Sequence, residues 1–301
     1  MIVLATVALW LAQASAPRAA PPELAEAAAQ IKQGNLARAA EILESLTAAN
    51  PASPADAYGM LAQSWAQLGQ PQRAMDAAER GLKAHPQSAL LRKTLGLMLF
   101  RTAPQGTRAG ELLGAAARAL PSDPEVHHFY AQWAFLNHRE EVCVAESRKV
   151  AALSQHNDLA LLQSYTLAAM AEQKLDHPAQ AEAAFRKALE VNRRMPVFDP
   201  AAAFQFIDFL GKAGRQEDSR KIVDEVLRLR PGYGPAHLEK AKFLDVEQQY
   251  QGAVDEAEAA LRLQGCDPTQ IRAAHVLLAR TYFLLGNSEA AQVHQAWVEA
   301  H

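Results

Sequence analysis

Apolar residues recur along most of the chain with helical periodicity, and short polar turns separate the periodic stretches. Four of these turns contain a glycine, at Gly34, Gly69, Gly214 and Gly286, and a small residue lies five positions after each of them. Glycine readily adopts the left-handed conformation that ends a helix, and proline cannot continue a helix interior. The stretches between these glycines and the prolines that follow them therefore predict pairs of antiparallel helices.

The small-residue position recurs eight times, at steps of 34 to 38 residues: Ala39, Ala74, Ala109, Cys143, Ala181, Ser219, Ala253 and Ala291. Small residues allow two helix backbones to approach closely, and larger side chains fill the spaces between them. The sequence thus predicts an all-α chain of eight helix pairs. The predicted units are about 21–54, 55–88, 89–123, 124–157, 158–195, 196–233, 234–268 and 269–301.

Two units carry the fullest form of a recurrent motif. They read Tyr58…Leu61-Ala62…Trp65…Gly69…Ala74…Gly81-Leu82…Pro86 and Leu278-Ala279…Tyr282…Gly286…Ala291. These residues resemble the tetratricopeptide repeat (TPR) family, whose unit is about 34 residues of helix–turn–helix. The resemblance covers about residues 21–301. It implies a right-handed α-solenoid of about eight TPR-like repeats within 17–301, with the first helix of each unit lining a concave groove suited to peptides or helices.

Composition narrows the functional classes. The chain has 301 residues, 50 % hydrophobic but only 7 % aromatic, with a formal net charge of -3. It is too apolar to be disordered, and its near-neutral charge argues against a dedicated nucleic-acid binder. Two cysteines cannot build a disulfide-rich scaffold. Length alone permits two globular domains, but eight units of about 35 residues account for the same length.

The first residues predict a secretory signal peptide at 1–16. Residues 2–12 are apolar with one exception, and residues 14–16 supply the small Ala-Ser-Ala pattern of a cleavage site. The apolar run is about 11 residues, against the ~20 that span a bilayer as a helix. We therefore expect periplasmic or secreted placement in a bacterium, without a membrane span in the mature chain. An uncleaved anchor and a cytoplasmic protein are the alternatives.

Motifs of known catalytic sites are missing from the sequence, which has no His-Glu-x-x-His, Gly-x-Ser-x-Gly or phosphate loop. One cluster has residue types that bind metals: His127-His128, His138 and Glu140-Glu141. Adjacent histidines on a helix point about 100° apart and rarely bind one ion together. Cys143 is expected to be a small core residue and Cys266 an exposed thiol. We expect no enzyme activity, no metal and no cofactor.

If the units are aligned on their turns, the TPR resemblance implies that twelve residues of the first helices face the groove. They are Gln63, Gln67, Lys93, Phe100, Arg101, His128, Gln132, Phe204, Asp208, Lys212, Arg280 and Phe283. This mixed lining has no dominant charge and suits a protein or peptide partner, with aromatic and arginine side chains as energetic anchors. The Lys–Asn pairs of the carboxylate clamp found in some TPR proteins are missing, so binding of chaperone carboxy-termini is not predicted.

The functional hypothesis is a non-catalytic protein–protein interaction scaffold that binds a peptide or helix of a partner. One alternative is an accessory subunit of a bacterial envelope assembly, secretion or pilus machine. Another is a cytoplasmic TPR regulator. An enzyme with repeats around a catalytic centre would need a domain outside the repeats, and eight repeats leave no room for one.

Three departures from the regular pattern carry expectations of their own. The 38-residue step into the fifth unit predicts a longer first helix around residues 161–174. The loop 193–200 contains two prolines and is a candidate hinge or contact loop. Terminal repeats need a polar outer face, but the last helix carries Val293, Trp297 and Val298. We therefore expect the carboxy-terminal end to dock against a partner or to form a homo-oligomer.

Overall fold

Regular structure in the described residues is helical throughout. The computed structural model describes residues 21–301; residues 1–20, which include the predicted signal peptide, lie outside the described part. Within 21–301 there are sixteen helices and no strand, apart from an isolated bridge between Tyr233 and Gln264. The helices are α1 (Pro22–Lys32), α2 (Leu36–Ala49), α3 (Ala55–Gln67), α4 (Pro71–Ala84), α5 (Ala89–Thr102), α6 (Thr107–Ala119), α7 (Pro124–Leu136), α8 (Glu140–Leu153), α9 (Asp158–Lys174), α10 (Pro178–Arg194), α11 (Pro200–Lys212), α12 (Gln216–Leu229), α13 (Gly234–Val246), α14 (Tyr250–Arg262), α15 (Pro268–Leu284) and α16 (Ser288–Ala300).

The small-residue position is buried in every helix pair. Its eight members, which open the second helices, are all 8 % exposed or less: Ala39, Ala74, Ala109, Cys143, Ala181, Ser219, Ala253 and Ala291. A side chain of at most a few atoms lets the paired backbones approach, and the volume that it leaves is filled by larger neighbours. The prediction of an all-α solenoid built from helix pairs is confirmed.

Left-handed residues end the first helices, as the glycine register predicts. Gly34, Gly69, Gly214 and Gly286 have φ between 72° and 81°. After Gly69, the N–H of Gln70 donates to the carbonyl of Trp65 at 2.9 Å, which closes the helix end. Three other pairs place a non-glycine residue at this position: His138, Asp176 and Gln248, with φ of 54°, 57° and 61°.

The described helices form two compact units, one ending at Asn137 and the other starting at His138. In the first unit, leucines and a tryptophan pack between successive helices, including Leu43, Leu61, Trp65 and Leu95. The second unit has an aromatic core in which Phe185 stacks on Phe206 with ring centroids 5.3 Å apart. Each unit thus buries its own apolar stripes between neighbouring helices.

Extra helical turns account for the longer steps of the repeat. Helices α9, α10 and α15 each have 17 residues, whereas the other described helices have 11 to 14. The expectation of a longer first helix in the fifth pair is confirmed by α9 (Asp158–Lys174). One turn of an α-helix adds about four residues, which is the difference between these steps and the 34-residue norm.

Hydrogen bonds anchor the loop between α10 and α11, which the sequence predicts to be a hinge or contact loop. Asn192 is fully buried, and its amide donates to the carbonyl of Asp199 at 2.7 Å. The backbone N–H of Asp199 donates in turn to the side-chain oxygen of Asn192 at 2.7 Å. Phe198 is buried beside it, and Arg230 donates to the Phe198 carbonyl at 3.3 Å. These bonds fix the loop backbone, whereas Pro196 and Val197 are exposed.

Candidate protein-binding surfaces

The first helices of the sixth and seventh pairs line a groove of about 850 Å³, here called the α11–α13 groove. Three of the residues predicted from the sequence meet in it: Phe204, Asp208 and Lys212. They lie on one face of α11 because four-residue steps return to the same side of a helix. The groove is also lined by Arg220 of α12, by Glu239, Lys242, Phe243 and Val246 of α13, and by Glu247, which follows α13.

Apolar side chains line the middle of this groove. Phe204 packs edge-on against Tyr233, with ring centroids 5.3 Å apart, and its other side stays partly open. Phe243 is also half-buried, whereas Val246 is 82 % exposed. An isolated exposed valine needs no explanation, but this one lines the same groove as two half-buried phenylalanines, and the three side chains together form an apolar strip. Such a strip is able to bury a partner's apolar side chains.

Charged side chains of both signs border the strip and are paired with one another. The ammonium of Lys212 donates to Asp208 at 2.6 Å, and that of Lys242 donates to Glu239 at 2.6 Å. Arg220 forms a two-bond pair with Glu247, which lowers the pKa of that carboxyl. Exposed pairs of this kind contribute little to stability. They leave a rim that can donate to or accept from a partner of either sign.

Lys242 and Val246 were not among the residues predicted from the sequence, although the same register leads to them. They lie six and two residues before Gln248, as Asp208 and Lys212 lie before Gly214. Because Gln248 is not glycine, the sequence gives no turn mark in the seventh pair. Its φ of 61° shows that it occupies the same left-handed position. Aligning the small residue Ala253 alone would have located both groove residues.

A second surface lies on the last helix pair and is here called the α15–α16 face. It has a depression of about 520 Å³ that contains the predicted residues Arg280 and Phe283. Phe283 is 69 % exposed, and Arg280 donates to Asp245 of the preceding pair at 2.7 Å. Trp297, expected on the outer face, instead stacks on His275 with ring centroids 3.9 Å apart. The apolar character of this face therefore comes from Phe283 rather than from the tryptophan.

Four of the predicted residues of the first unit fall into two environments, exposed and buried. Gln63, Gln67 and Arg101 are exposed. Phe100 differs from its expectation as an anchor, because it is only 9 % exposed and packs edge-on against Phe129 at 5.7 Å. Phe100 is therefore a core residue of this unit, since a side chain so far removed from solvent offers little surface to a partner.

The remaining predicted residues of the first unit are held by neighbours. The ammonium of Lys93 lies 2.6 Å from Asp123 and 2.7 Å from Glu125. Burial alone would lower the pKa of Lys93, but its hydrogen bonds to these carboxylates raise it above the ordinary value. His128 and Gln132 are half-buried and hydrogen-bonded at 3.0 Å, and burial lowers the pKa of His128.

The sequence singles out two kinds of reactive group, a histidine–glutamate cluster and the two cysteine thiols. Residues 21–301 contain no group of three histidine, cysteine, aspartate or glutamate side chains that could hold a metal ion. Cys143 and Cys266 are both free. Burial raises the pKa of the Cys143 thiol to about 12. Cys266 is half-buried rather than fully exposed, with its thiol 3.6 Å from the carbonyl of Ala260, and burial also raises its pKa. The thiolate is the reactive form, so both are poor nucleophiles.

None of the helices described between residues 21 and 301 combines the length and apolar character needed to cross a bilayer. The search among curated proteins found no matching sequence. Family models described as tetratricopeptide repeat match residues 24–89 and 162–194.

Solved structures share the fold at low sequence identity. A tetratricopeptide repeat protein from Parabacteroides merdae superposes with a TM-score of 0.54 and 12 % identity, covering 85 % of this chain and 97 % of that one. MamA from AMB-1 has a TM-score of 0.50 and 19 % identity, with 58 % of this chain and 92 % of that chain covered. Repeat proteins of this kind generally serve as non-catalytic scaffolds for protein interaction. The two family matches, the left-handed turns and the buried small residues agree: this chain is a tetratricopeptide repeat protein.

Proposed function

We propose that this protein is a non-catalytic scaffold that binds an amphipathic helix or extended segment of a partner protein in the α11–α13 groove. The observation that carries the proposal is the strip formed by Phe204, Phe243 and Val246, with Val246 82 % exposed. Aromatic side chains with an open face are the residues that contribute most to binding when a partner covers them. A preformed groove also lowers the entropy lost on the receptor side.

The rim defines what kind of partner segment fits. Ion pairs of both signs flank the apolar strip, at Asp208–Lys212 and Glu239–Lys242. A segment with an apolar stripe between charged or polar residues can bury the stripe and exchange hydrogen bonds with the rim. Segments of one strong charge gain no net attraction, because each rim charge already has an opposite neighbour. This supports a helix-in-groove mode of recognition.

The experiment is site-specific photo-crosslinking in the native host. A photoreactive phenylalanine analogue replaces Val246 in the groove or, as the control, Gln251, which is exposed on the second helix α14. We expect a discrete crosslinked product from position 246 and none from position 251. Phe204→Ala in the same chain should reduce the yield at position 246. Equal products from both positions, or a yield at 246 that is indifferent to Phe204→Ala, would contradict groove binding.

We further propose that the scaffold acts outside the cytoplasm. The support is the apolar run 2–12 followed by the small residues 14–16. An accessory role in an envelope assembly, secretion or pilus machine is compatible with that placement and requires a stable partner. Amino-terminal sequencing of the protein isolated from cell fractions tests the placement. A chain that starts after residue 16 in the periplasmic fraction supports export, whereas an intact Met1 in the cytoplasmic fraction contradicts it.

A further inference from the structure

The α15–α16 face is equivalent by repeat position to a face that is covered in the preceding pair. Leu278 of α15 packs in one buried cluster with Ala241 of α13 and with Val254 and Ala257 of α14. Leu238 and Ala260 receive Ala274 of α15 in another. Moving 38 residues along the chain gives the corresponding positions of the last pair: Ala279, Gln292 and Gln295 for the first cluster, and Val276 and Val298 for the second. All five of these residues line the depression on the α15–α16 face.

The repeat geometry therefore assigns this face to packing against another helix pair. Its apolar side chains are open in the described structure, with Val276 49 % and Phe283 69 % exposed. Phe283 stands where the preceding pair has Asp245, the residue that bonds Arg280. A phenylalanine in place of a carboxylate removes the acceptor that a further repeat of the α15 type would pair with. The face thus suits an apolar counterpart.

The charge and hydrogen-bonding character of the face make it complementary to itself. Arg280 is its charged side chain, and the Asp245 carboxylate 2.7 Å away offsets that charge. Gln292 and Gln295 carry amides that both donate and accept hydrogen bonds, so the same groups can pair across a two-fold axis. Two copies of this face can therefore meet without like-charge repulsion, and each Phe283 can enter the depression of the other copy.

Head-to-tail association with the first helix pair is disfavoured by Glu26. Leu61 and Leu278, eight residues before the turn glycines of the second and last pairs, are fully buried against the preceding helix pair. The same position in α1 holds Glu26, which is exposed. Docking α1 onto the α15–α16 face would bury this carboxylate against Ala279 and two amides, and the cation of the face, Arg280, is already paired with Asp245 at 2.7 Å. An isologous contact between two last pairs avoids that cost.

We propose that two copies of this chain associate through their α15–α16 faces as a two-fold dimer, in which the last helix pairs form a four-helix contact centred on Phe283. Cyclic two-fold dimers are the most common closed assembly, and their interface uses the same patch on both subunits. The dimer leaves the α11–α13 groove on each copy as a separate surface, so this proposal does not depend on the proposed function.

Sedimentation equilibrium of the full chain tests the dimer. At protein concentrations up to about 100 μM, where contacts with a dissociation constant in the micromolar range are populated, we expect the mass of two 32.7 kDa chains. Phe283→Arg should return the protein to the mass of one chain, and Val276→Arg should shift the equilibrium in the same direction. Both side chains are exposed, so circular dichroism should show unchanged helicity.

Val246→Arg is the matched control, because it places the same charge on an exposed valine of the α11–α13 groove. It should leave the dimer intact. Phe283→Arg, placed in the chain that carries the photoreactive analogue at position 246, should leave crosslinking from that position unchanged. A monomer at all concentrations overturns the proposal and leaves a different partner as the occupant of the face. A mass that grows beyond two chains, or a dimer that survives both arginine variants, overturns it as well.

Discussion

The second and last helix pairs carry the same motif residues but differ in what covers them. Leu61 and Leu278 occupy the same repeat position, and both are fully buried. One residue later, Ala62 is fully buried in the second pair, whereas Ala279 is half-exposed in the last. Trp65 is 6 % exposed, and its counterpart Tyr282 is half-exposed. Each motif thus specifies its own pair and the contact with the pair before it.

The difference shows which residues of a repeat are buried by their own pair and the preceding one, and which need a further partner to cover them. The turn glycine, the small residue and the inward leucine act through neighbours already present in the chain, so they behave alike in both pairs. The outward face depends on whatever follows, and in the last pair it remains open. In a repeat array, stability is approximately a sum of repeat and neighbour terms. The same substitution is therefore expected to cost more in the second pair than in the last.

Removal of the inward-facing leucine tests the difference between the two pairs most directly. We expect Leu61→Ala to lower the free energy of unfolding by about 2–5 kcal/mol, the usual cost of emptying a fully buried leucine site. Leu278→Ala should cost less, because the last pair is packed on one side only and can relax. Urea unfolding followed by circular dichroism measures both. Leu284→Ala, at a 45 % exposed site in the last pair, is the control and should have little effect.

Equal losses for Leu61→Ala and Leu278→Ala would contradict the view that the last pair is held more weakly. A dimer through the α15–α16 face would narrow the gap between them. Repeating the measurement with Phe283→Arg in the background should then restore it.

A close helix approach in the second pair gives the next largest effect. A Cβ placed on Gly81 would lie 2.5 Å from the Cβ of Tyr58, which is closer than real Cβ atoms come. We expect Gly81→Ala to cost about 1–3 kcal/mol through overpacking. Gly59 lies in the partner helix, and its added Cβ would be 3.4 Å from Leu90, an ordinary contact. Gly59→Ala should therefore be neutral or stabilising by up to about 1 kcal/mol, as helix propensity predicts.

Thermal unfolding of the two alanine variants separates packing from propensity. If both glycines tolerate alanine equally, the close approach of α3 and α4 at Gly81 does not limit side-chain size. The open space around Tyr58 would then have to be larger than the structure shows.

Substitutions at the left-handed turn position should have a smaller effect on stability, and the chain allows both the loss and the gain of a glycine there to be tested. Gly69 and Gly286 have φ of 72° and 78°, and no atom lies within 4 Å of an added Cβ. Alanine at either site pays only for the left-handed backbone, about 1–2 kcal/mol. The cost at Gly69 should appear in global unfolding, and that at Gly286 in faster hydrogen exchange of α16 alone. Gln248→Gly reverses the change at φ 61° and should stabilise by up to about 1 kcal/mol.

Sequence reasoning reached the buried frame of this molecule because that frame depends on local spacing. The eight small residues and the four turn glycines were all located, since a helix pair needs them at fixed offsets. The left-handed His138, Asp176 and Gln248 carry no such mark, because the surrounding turn imposes their conformation. Lys242 and Val246 were missed for that reason.

Tertiary contacts explain the other differences between sequence and structure. Phe100 was assigned to the groove by register, but its contact with Phe129 comes from a helix two positions further along the chain. The two prolines of the loop 193–200 predict a hinge or contact loop, and the sequence does not indicate that the buried amide of Asn192 binds the Asp199 backbone. Neither contact has a periodic signature. Such residues can be placed only once the packing of neighbouring helices is known.

Acid is expected to loosen the last helix pair before the second. His275 and His294 lie 2.8 Å apart through their Nδ1 atoms, so one ring donates and the other accepts. Burial lowers the pKa of His275, and the nearby His294 and His301 lower it further. Burial also lowers the pKa of His294, which the Glu258 carboxylate partly opposes. The folded state therefore binds fewer protons than the unfolded state, and stability is lost as the pH falls below about 6.5.

Hydrogen exchange of α16, corrected for the intrinsic pH dependence of exchange, measures this loss between about pH 7.5 and pH 5.5. We expect protection of α16 to fall across that interval, because two protonated imidazoles in contact repel and break their mutual hydrogen bond. Helices α3 and α4 contain no histidine, and His85, which follows α4, contacts Tyr58 and the Ser53 carbonyl rather than another imidazole, so their protection should change less. His294→Gln keeps a polar partner for His275 but removes one titrating group, and should flatten the pH dependence of α16. An α16 that loosens equally with and without His294 would place the acid sensitivity elsewhere in the last pair, and a constant α16 would show that His275 and His294 titrate alike in the folded and unfolded chain.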